Sequence, residues 1–383
     1  MLMKIYFLVT AAIVSTQLLY GQLKPIGSWT DHLPLQTGTS IATNGTLVYA
    51  GTETGMFTYN TTDNSLTKFT KVNLLNDVTI SKLAYSQQSE TLIIVYDNAN
   101  IDLIRNNHVF NIPFIKLSTE PKEINEIKII GNLAYLSMAY GITVVNLDRQ
   151  EIADTYKFGP GGTAINVNSV DQLGDKVFAA TNSGVYQGSL SSNLLDFNSW
   201  LKVPIKTGVP ALAIWEQTDK INFIFRQAGV KDSIVTYDGQ SYATNTQVAG
   251  FDFTSLSESS LNNFTLTTKS ATYIFNQDGS STVLNRNGNS ILGTATSGGR
   301  LFAINPFIPL IEISATTGET INFYKPDGPN TADVFDMAAG GGKLWLVNGA
   351  INGAYNNQFD LARVSSFDGI SWTNYRHGTN DGL

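Results

Sequence analysis

Gly27-Ser28-Trp29-Thr30-Asp31-His32 returns near the other end of the chain as Ile370-Ser371-Trp372-Thr373-Asn374-Tyr375, and a third Ser-Trp pair stands between them at Ser199-Trp200. The three pairs are 171 and 172 residues apart, each gap four times about 43. A period of that size signals a β-propeller built from repeated sheets. Short polar turns keep the same beat: Asp63-Asn64, Asn106-Asn107, Asp148-Arg149, Ser191-Ser192, Asp238-Gly239, Asp278-Gly279, Thr317-Gly318 and Asp368-Gly369. These mark eight units of about 44 residues, room for four short strands and their connections.

The strands can be placed within each unit. Leu47 to Ala50, Thr91 to Tyr96, Leu133 to Met138, Lys176 to Ala180, Ile221 to Phe225, Phe264 to Thr268, Leu301 to Ile304 and Lys343 to Val347 are apolar runs followed by a turn and a second run. Gly55, Asn100, Gly141 and Gly184 mark the first four of these turns, so each pair reads as a hairpin. An outer strand follows, as at His108 to Ile112 or Trp372 to Tyr375, and an innermost strand precedes, as at Val78 to Ala84 or Val334 to Met337. The fold class is therefore all-β: a propeller of four-stranded antiparallel blades, seven-bladed, with the start of a second propeller.

The 383 residues divide into a signal peptide over 1–21, a first propeller over 22–325 and the first blade of a second over 326–383. The leader carries Lys4, then an apolar run from Ile5 to Leu19 that is too short and too interrupted by polar residues for a membrane span. With no cysteine anywhere, neither a lipidated cysteine nor a disulfide framework is available, and stability rests on packing. Removing Lys4 with the leader leaves 23 basic against 31 acidic residues, a balance that argues against nucleic-acid binding. The stretch around Trp29 reads as an outer strand without inner partners, so it is expected to complete a blade made from later residues and close the ring. Since all eight later units also own outer strands, the chain is expected to be an N-terminal fragment of a longer protein.

Five stretches are similar to the N-terminal propeller of the PorZ family, a component of the type IX secretion (Por) system's cell-surface attachment complex in Bacteroidetes-type bacteria. They are Trp29 to Pro34, Lys71 to Ser81, Tyr96 to Ile104, Ala134 to Ser137 with Tyr140-Gly141-Ile142, and Ala179 to Tyr186. Where that pattern would place Gly-Leu-Ser before Asp77, this chain has Leu74-Leu75-Asn76, a departure that predicts a weakened local cap. The resemblance implies a non-enzymatic scaffold or adaptor at the cell surface or outer membrane, aiding maturation or attachment of secreted cargo. It implies as partners the other components of the attachment complex and a surface polysaccharide or lipopolysaccharide. Gly342-Lys343-Leu344-Trp345 and Asp381-Gly382-Leu383 also resemble the propeller repeats of two-component regulators, so the alternative is a periplasmic ligand-sensing propeller of a hybrid histidine kinase.

No residue pattern compels a chemistry, and no catalytic, cofactor-binding or metal residue is assigned. Gly340-Gly341-Gly342-Lys343 lacks the Ser or Thr and the helix of a phosphate loop and reads as a turn. Asp368, in a sequence close to the Asp-box of sialidase-type propellers, would tie down a hairpin, and the seven arginines are scattered. His32, His108 and His377 have no ligand spacing and are expected at the surface. Asp97, Asn98, Asn100 and Asp102 could offer oxygens to calcium but read better as a polar turn. Asp232-Ser233-Ile234 fits a three-residue O-glycosylation pattern. Trp215 and Trp345 read as core, and Trp29, Trp200 and Trp372 as packing between blades.

Overall fold

The computed structural model describes residues 30–259, 263–269, 271–276, 280–285, 291–349, 351, 354–358 and 363–376. Residues 30–32 fall in a separate N-terminal unit, Met1–His32, and everything described below lies in the second, Leu33–Leu383. Among its described residues that unit has eight antiparallel sheets, each of four strands hydrogen-bonded in chain order. They span 38–69, 80–112, 124–156, 167–202, 211–251, 253–285, 293–324 and 336–376, here blades 1 to 7 and an eighth sheet. The apolar runs fall on second strands such as Leu47–Thr52 and Thr91–Tyr96, and Gly55, Gly141 and Gly184 each open the third.

What makes these sheets a propeller is visible in how their apolar side chains are shared. One four-stranded sheet cannot hide both of its faces, so each must lean on a neighbour. Seven apolar clusters fill the wedges between consecutive blades. Blades 1 and 2 share Ala42, Met56, Ile80 and Ile94, and blades 2 and 3 share Ile93, Leu103, Leu136 and Val145. Val144 and Tyr156 meet Val177 and Trp200 between blades 3 and 4; Phe178 and Val185 meet Phe223 and Tyr237 between blades 4 and 5. Trp215 and Ile224 meet Phe264 and Phe275 between blades 5 and 6, and Leu284 meets Leu301 and Ile311 between blades 6 and 7. The seventh cluster, with Val48, Phe57 and Tyr59 against Phe302, Ile304 and Leu310, joins blade 7 back to blade 1 and closes the ring. Each fully buried side chain of this size contributes roughly 1.5–3 kcal/mol.

The closing seam differs from the expectation of a shared strand. Residues 30–37 form no strand, while Ser28 and Trp29 lie outside the described residues. Blade 1 and blade 7 each supply all four of their strands, so the ring closes by packed side chains and a few hydrogen bonds across the seam. The Arg300 guanidinium donates to both Glu312 oxygens, at 2.9 and 2.5 Å, and to the hydroxyls of Tyr59 at 3.0 Å and Tyr324 at 2.5 Å. The Gly38 N–H donates to the Asn305 carbonyl across the same seam at 3.2 Å. Arg300 joins sheets from opposite ends of the sequence, and its charge is matched inside a wall of three aromatic rings.

The eighth sheet is packed differently. Its inner strand Asp336–Gly340 is exposed throughout, and the next, Lys343–Val347, is only half-buried. Trp345, expected in a core, is therefore only partly covered, whereas Trp215 is buried at 1% exposure in the wedge between blades 5 and 6. A tryptophan in an apolar run becomes core only where a second sheet leans on it. The loop before this sheet is held down by Asp327, which accepts from the Trp372 N–H, and by Gly328, whose carbonyl accepts from Asn374.

Candidate functional site: the central channel

The inner strands Gly38–Thr43, Ile80–Ser86, Ile124–Ile130, Val167–Leu173, Ala211–Gln217, Phe253–Ser259 and Gly293–Ser297 surround the axis of the ring. Each is a sheet edge, and an unpaired edge N–H or C=O away from bulk water needs a partner. In blades 1 to 6 the inner strand carries a β-bulge at the same place, as between Gly38 and Ser40 or Ile80 and Lys82. An extra residue there re-aims the side chains that follow. In blades 1, 3 and 4 the side chain after the bulge reaches the next blade and caps its edge N–H: Ser40 accepts from Leu83 at 2.9 Å, Glu126 from Val170 at 3.0 Å and Ser169 from Ile214 at 3.0 Å. The bulged residue itself can cap a carbonyl, as Asn125 does for Val167 and Asn168 for Ala211.

Two positions further along the strands sits an ion cluster. The Lys128 ammonium from blade 3 lies 3.0 Å from Asp171 of blade 4 and 2.9 Å from Glu258 of blade 6, and 5.2 Å from the centre of the Phe264 ring. Asp171 also accepts from the Glu216 N–H of blade 5 at 2.7 Å. Burial works against the Lys128 charge, but Asp171 and Glu258 outweigh it and lift the ammonium above its ordinary range. The tie from blade 3 to blade 6 bars the channel. A cavity of about 550 Å3 lies against the inner strands of blades 1, 2, 3, 6 and 7, and one of about 350 Å3 against those of blades 3, 4 and 5; Lys128 lines both.

Besides Lys128 and Tyr85, two ionisable groups lining the larger cavity are perturbed. Burial pushes the Glu126 carboxyl up to about 7, against the opposing pull of its hydrogen bonds and Lys128. Burial likewise pulls the Lys82 ammonium below its usual range, while Glu126 and Glu123 raise it. Lys82, Glu126, Lys128, Asp171 and Glu258 were not singled out from sequence. The available signal was charge within the apolar inner strands, legible only once the bulge register aligns one blade on the next.

The residues weighed from sequence are not brought together here. Asp102 is buried and fully engaged: it accepts from the Asn76 N–H at 2.9 Å, the Asn76 amide at 3.0 Å, Tyr96 at 2.6 Å and Asn111 at 2.8 Å. Asp77 accepts from Asn98 at 2.7 Å and pairs with Lys116 at 2.5 Å, so a lysine already stands where a cation would be drawn. At the Leu74-Leu75-Asn76 departure, Asn76 docks on Asp102 by both backbone and side chain. Among the described residues no three His, Asp or Glu side chains group as metal ligands. His108 is exposed on an outer strand and His377 lies outside the described residues. Asp368 accepts from the Ile370 and Ser371 N–H groups, which makes it a turn-fastening carboxylate, and Gly340 to Lys343 join two strands of the eighth sheet. Ser233 lies within the strand Asp232–Tyr237, where its hydroxyl accepts from Lys206.

Residues 48–201, within blades 1 to 4, match the model of the type IX secretion system PorZ N-terminal beta-propeller domain. The propeller is PorZ-like. Superposition agrees: the structure of PorZ from Porphyromonas gingivalis, described as an essential bacterial surface component of the type IX secretion system, aligns with a TM-score of 0.78 at 20% identity. That alignment covers 91% of this chain and 46% of the PorZ chain, so this chain spans about half the length of that protein. Two other solved structures are similar in fold alone. Chaetomium thermophilum Raptor has a TM-score of 0.53 at 12% identity over 75% of this chain and 29% of its own. The computationally designed Ika8 protein has 0.51 at 11% over 82% and 94%. No curated protein matches the chain.

Proposed function

We propose that this PorZ-like chain is a cell-surface component of type IX secretion, serving without chemistry of its own as a scaffold or adaptor in the maturation or attachment of secreted cargo. The family match over residues 48–201 carries the reading. The physics of the fold supports it: a ring packed in every wedge holds loops rigidly on two broad faces, which suits a docking platform. Fold alone would not choose among propeller functions, which are many.

In this reading residues 1–21 direct export, the ring over 22–325 is the first propeller, and 326–383 begin a second. The exposed inner strand of the eighth sheet supports that division, because a blade with no following neighbour leaves such a surface. Its partners are the other members of the attachment complex. Deletion of the gene in a type IX-competent bacterium is expected to leave a reporter cargo unprocessed or unattached at the surface, with recovery on complementation. Normal processing and anchoring in the deletion strain would overturn the proposal.

A further inference from the structure

The capping rule of the channel is broken at one place by a charge. Blade 2 presents Lys82 at the position where blade 1 has Ser40, blade 3 has Glu126 and blade 4 has Ser169. Each of those three accepts a hydrogen bond from the edge N–H of the next blade. A lysine ammonium only donates. By register the edge N–H equivalent to the capped ones is, for Lys82, that of Ile127, which pairs with Leu136 as Leu83 does with Ile94 and Val170 with Ala179. Two donors, one of them cationic, therefore converge on the wall of the 550 Å3 cavity, which both residues line. Lys82 forms no ion pair among the described residues, in contrast to Lys128 two positions along the next blade. At the equivalent position blade 5 has Ala213, which offers no acceptor and brings no charge.

We propose that the niche between the Lys82 ammonium and the Ile127 N–H binds an oxyanion group, a carboxylate or a phosphate, of a small molecule held in the channel. An anion supplies the acceptor that Ser40, Glu126 and Ser169 supply elsewhere and neutralises a partly buried charge that has no ion pair among the described residues. Charge-assisted bonds of this kind are about twice as strong as neutral ones. The acidic neighbours do not forbid it. Glu126 is engaged with Val170 and is held near 7 by burial, so close to neutrality much of it is uncharged, and Glu123 is exposed to solvent. A charge at a position that three other blades fill with a hydrogen-bond acceptor is a local departure of the kind expected where function lies.

The test titrates the purified chain with inorganic phosphate and, separately, with acetate, at constant ionic strength set by chloride, using calorimetry and thermal melting. Wild type is expected to bind at least one of the two anions and melt higher in its presence. Lys82→Met should weaken that binding by about tenfold or more, the loss of one charge-assisted contact. Lys82→Ser restores the repeat's own cap, and is expected to melt higher than wild type without anion and not to respond to it. Response to phosphate alone assigns a phosphate-bearing ligand, response to acetate alone a carboxylate, and response to both the shared oxyanion chemistry. Failure of wild type to respond to either anion, or equal responses in wild type and Lys82→Met, would overturn the proposal.

Discussion

Single side chains set the chemistry of the channel and the strength of its seam. Glu126 holds its proton up to about 7 in the folded chain but only to its ordinary value of 4.5 when unfolded. Between those values the folded state carries the extra proton, so stability falls as pH rises through this window and levels off above it. The loss is on the order of 3 kcal/mol. Glu126→Gln keeps an acceptor for Val170 without the charge, and is expected to flatten urea-unfolding stability between pH 4.5 and 7 and to be the more stable protein at pH 8. At the closing seam, Arg300→Met leaves the Glu312 carboxylate, 7% exposed, without its cation and with only the Tyr324 hydroxyl of the seam still donating to it. A loss of about 3 kcal/mol is expected in the same measurement. Neither residue was legible beforehand. The apolar period fixes where strands lie, but which polar side chain meets which N–H depends on the bulge and on the neighbouring blade, as with Ser40 and Leu83.

Strands and turns were the most legible level. The hairpin glycines, the polar turns and the runs Thr91 to Tyr96 and Lys343 to Val347 coincide with observed strands, because alternation between apolar run and turn is enforced within each sheet. The inner strands were less so: Ile80–Ser86 was expected two residues earlier, and Asp336–Gly340 likewise, since their edges carry polar caps that mask the apolar signal. Turn chemistry offers a further check. Gly141 has φ of +146°, and a Cβ there would lie 2.0 Å from the Tyr156 carbonyl oxygen, whereas a Cβ at Gly45, with φ of +95°, would meet nothing within 4 Å. Gly45→Ala is expected to cost about 1 kcal/mol, the price of its backbone angle. Gly141→Ala should cost several times that, with the melting temperature as readout; equal losses would mean that the close approach is not what fixes this hairpin.

At the scale of the whole molecule, the period predicted sheets stacked radially and gave their number, but not how the ring is shut. Ser28-Trp29 matches Ser371-Trp372 in type, which invited a shared closing strand; the fastening by Arg300, Tyr59 and Tyr324 leaves no such signature, because its members are scattered over 265 positions. If blades 1 to 7 are complete without the eighth sheet, residues 22–325 expressed alone should unfold in one cooperative transition with the β-rich circular dichroism of the full chain. A broad, non-cooperative melt would show that the eighth sheet is part of the ring. Closure itself can be measured directly because the chain has no cysteine. A Cβ at Gly298, in blade 7, would lie 3.2 Å from the Cβ of Thr61, in the turn of blade 1, close to disulfide distance. Thr61→Cys with Gly298→Cys is expected to form an intramolecular disulfide under mild oxidation of the folded protein and not in denaturant, detected by mass spectrometry after proteolysis. Efficient cross-linking would place blade 7 against blade 1; two free thiols after oxidation of the native protein would contradict the closed ring.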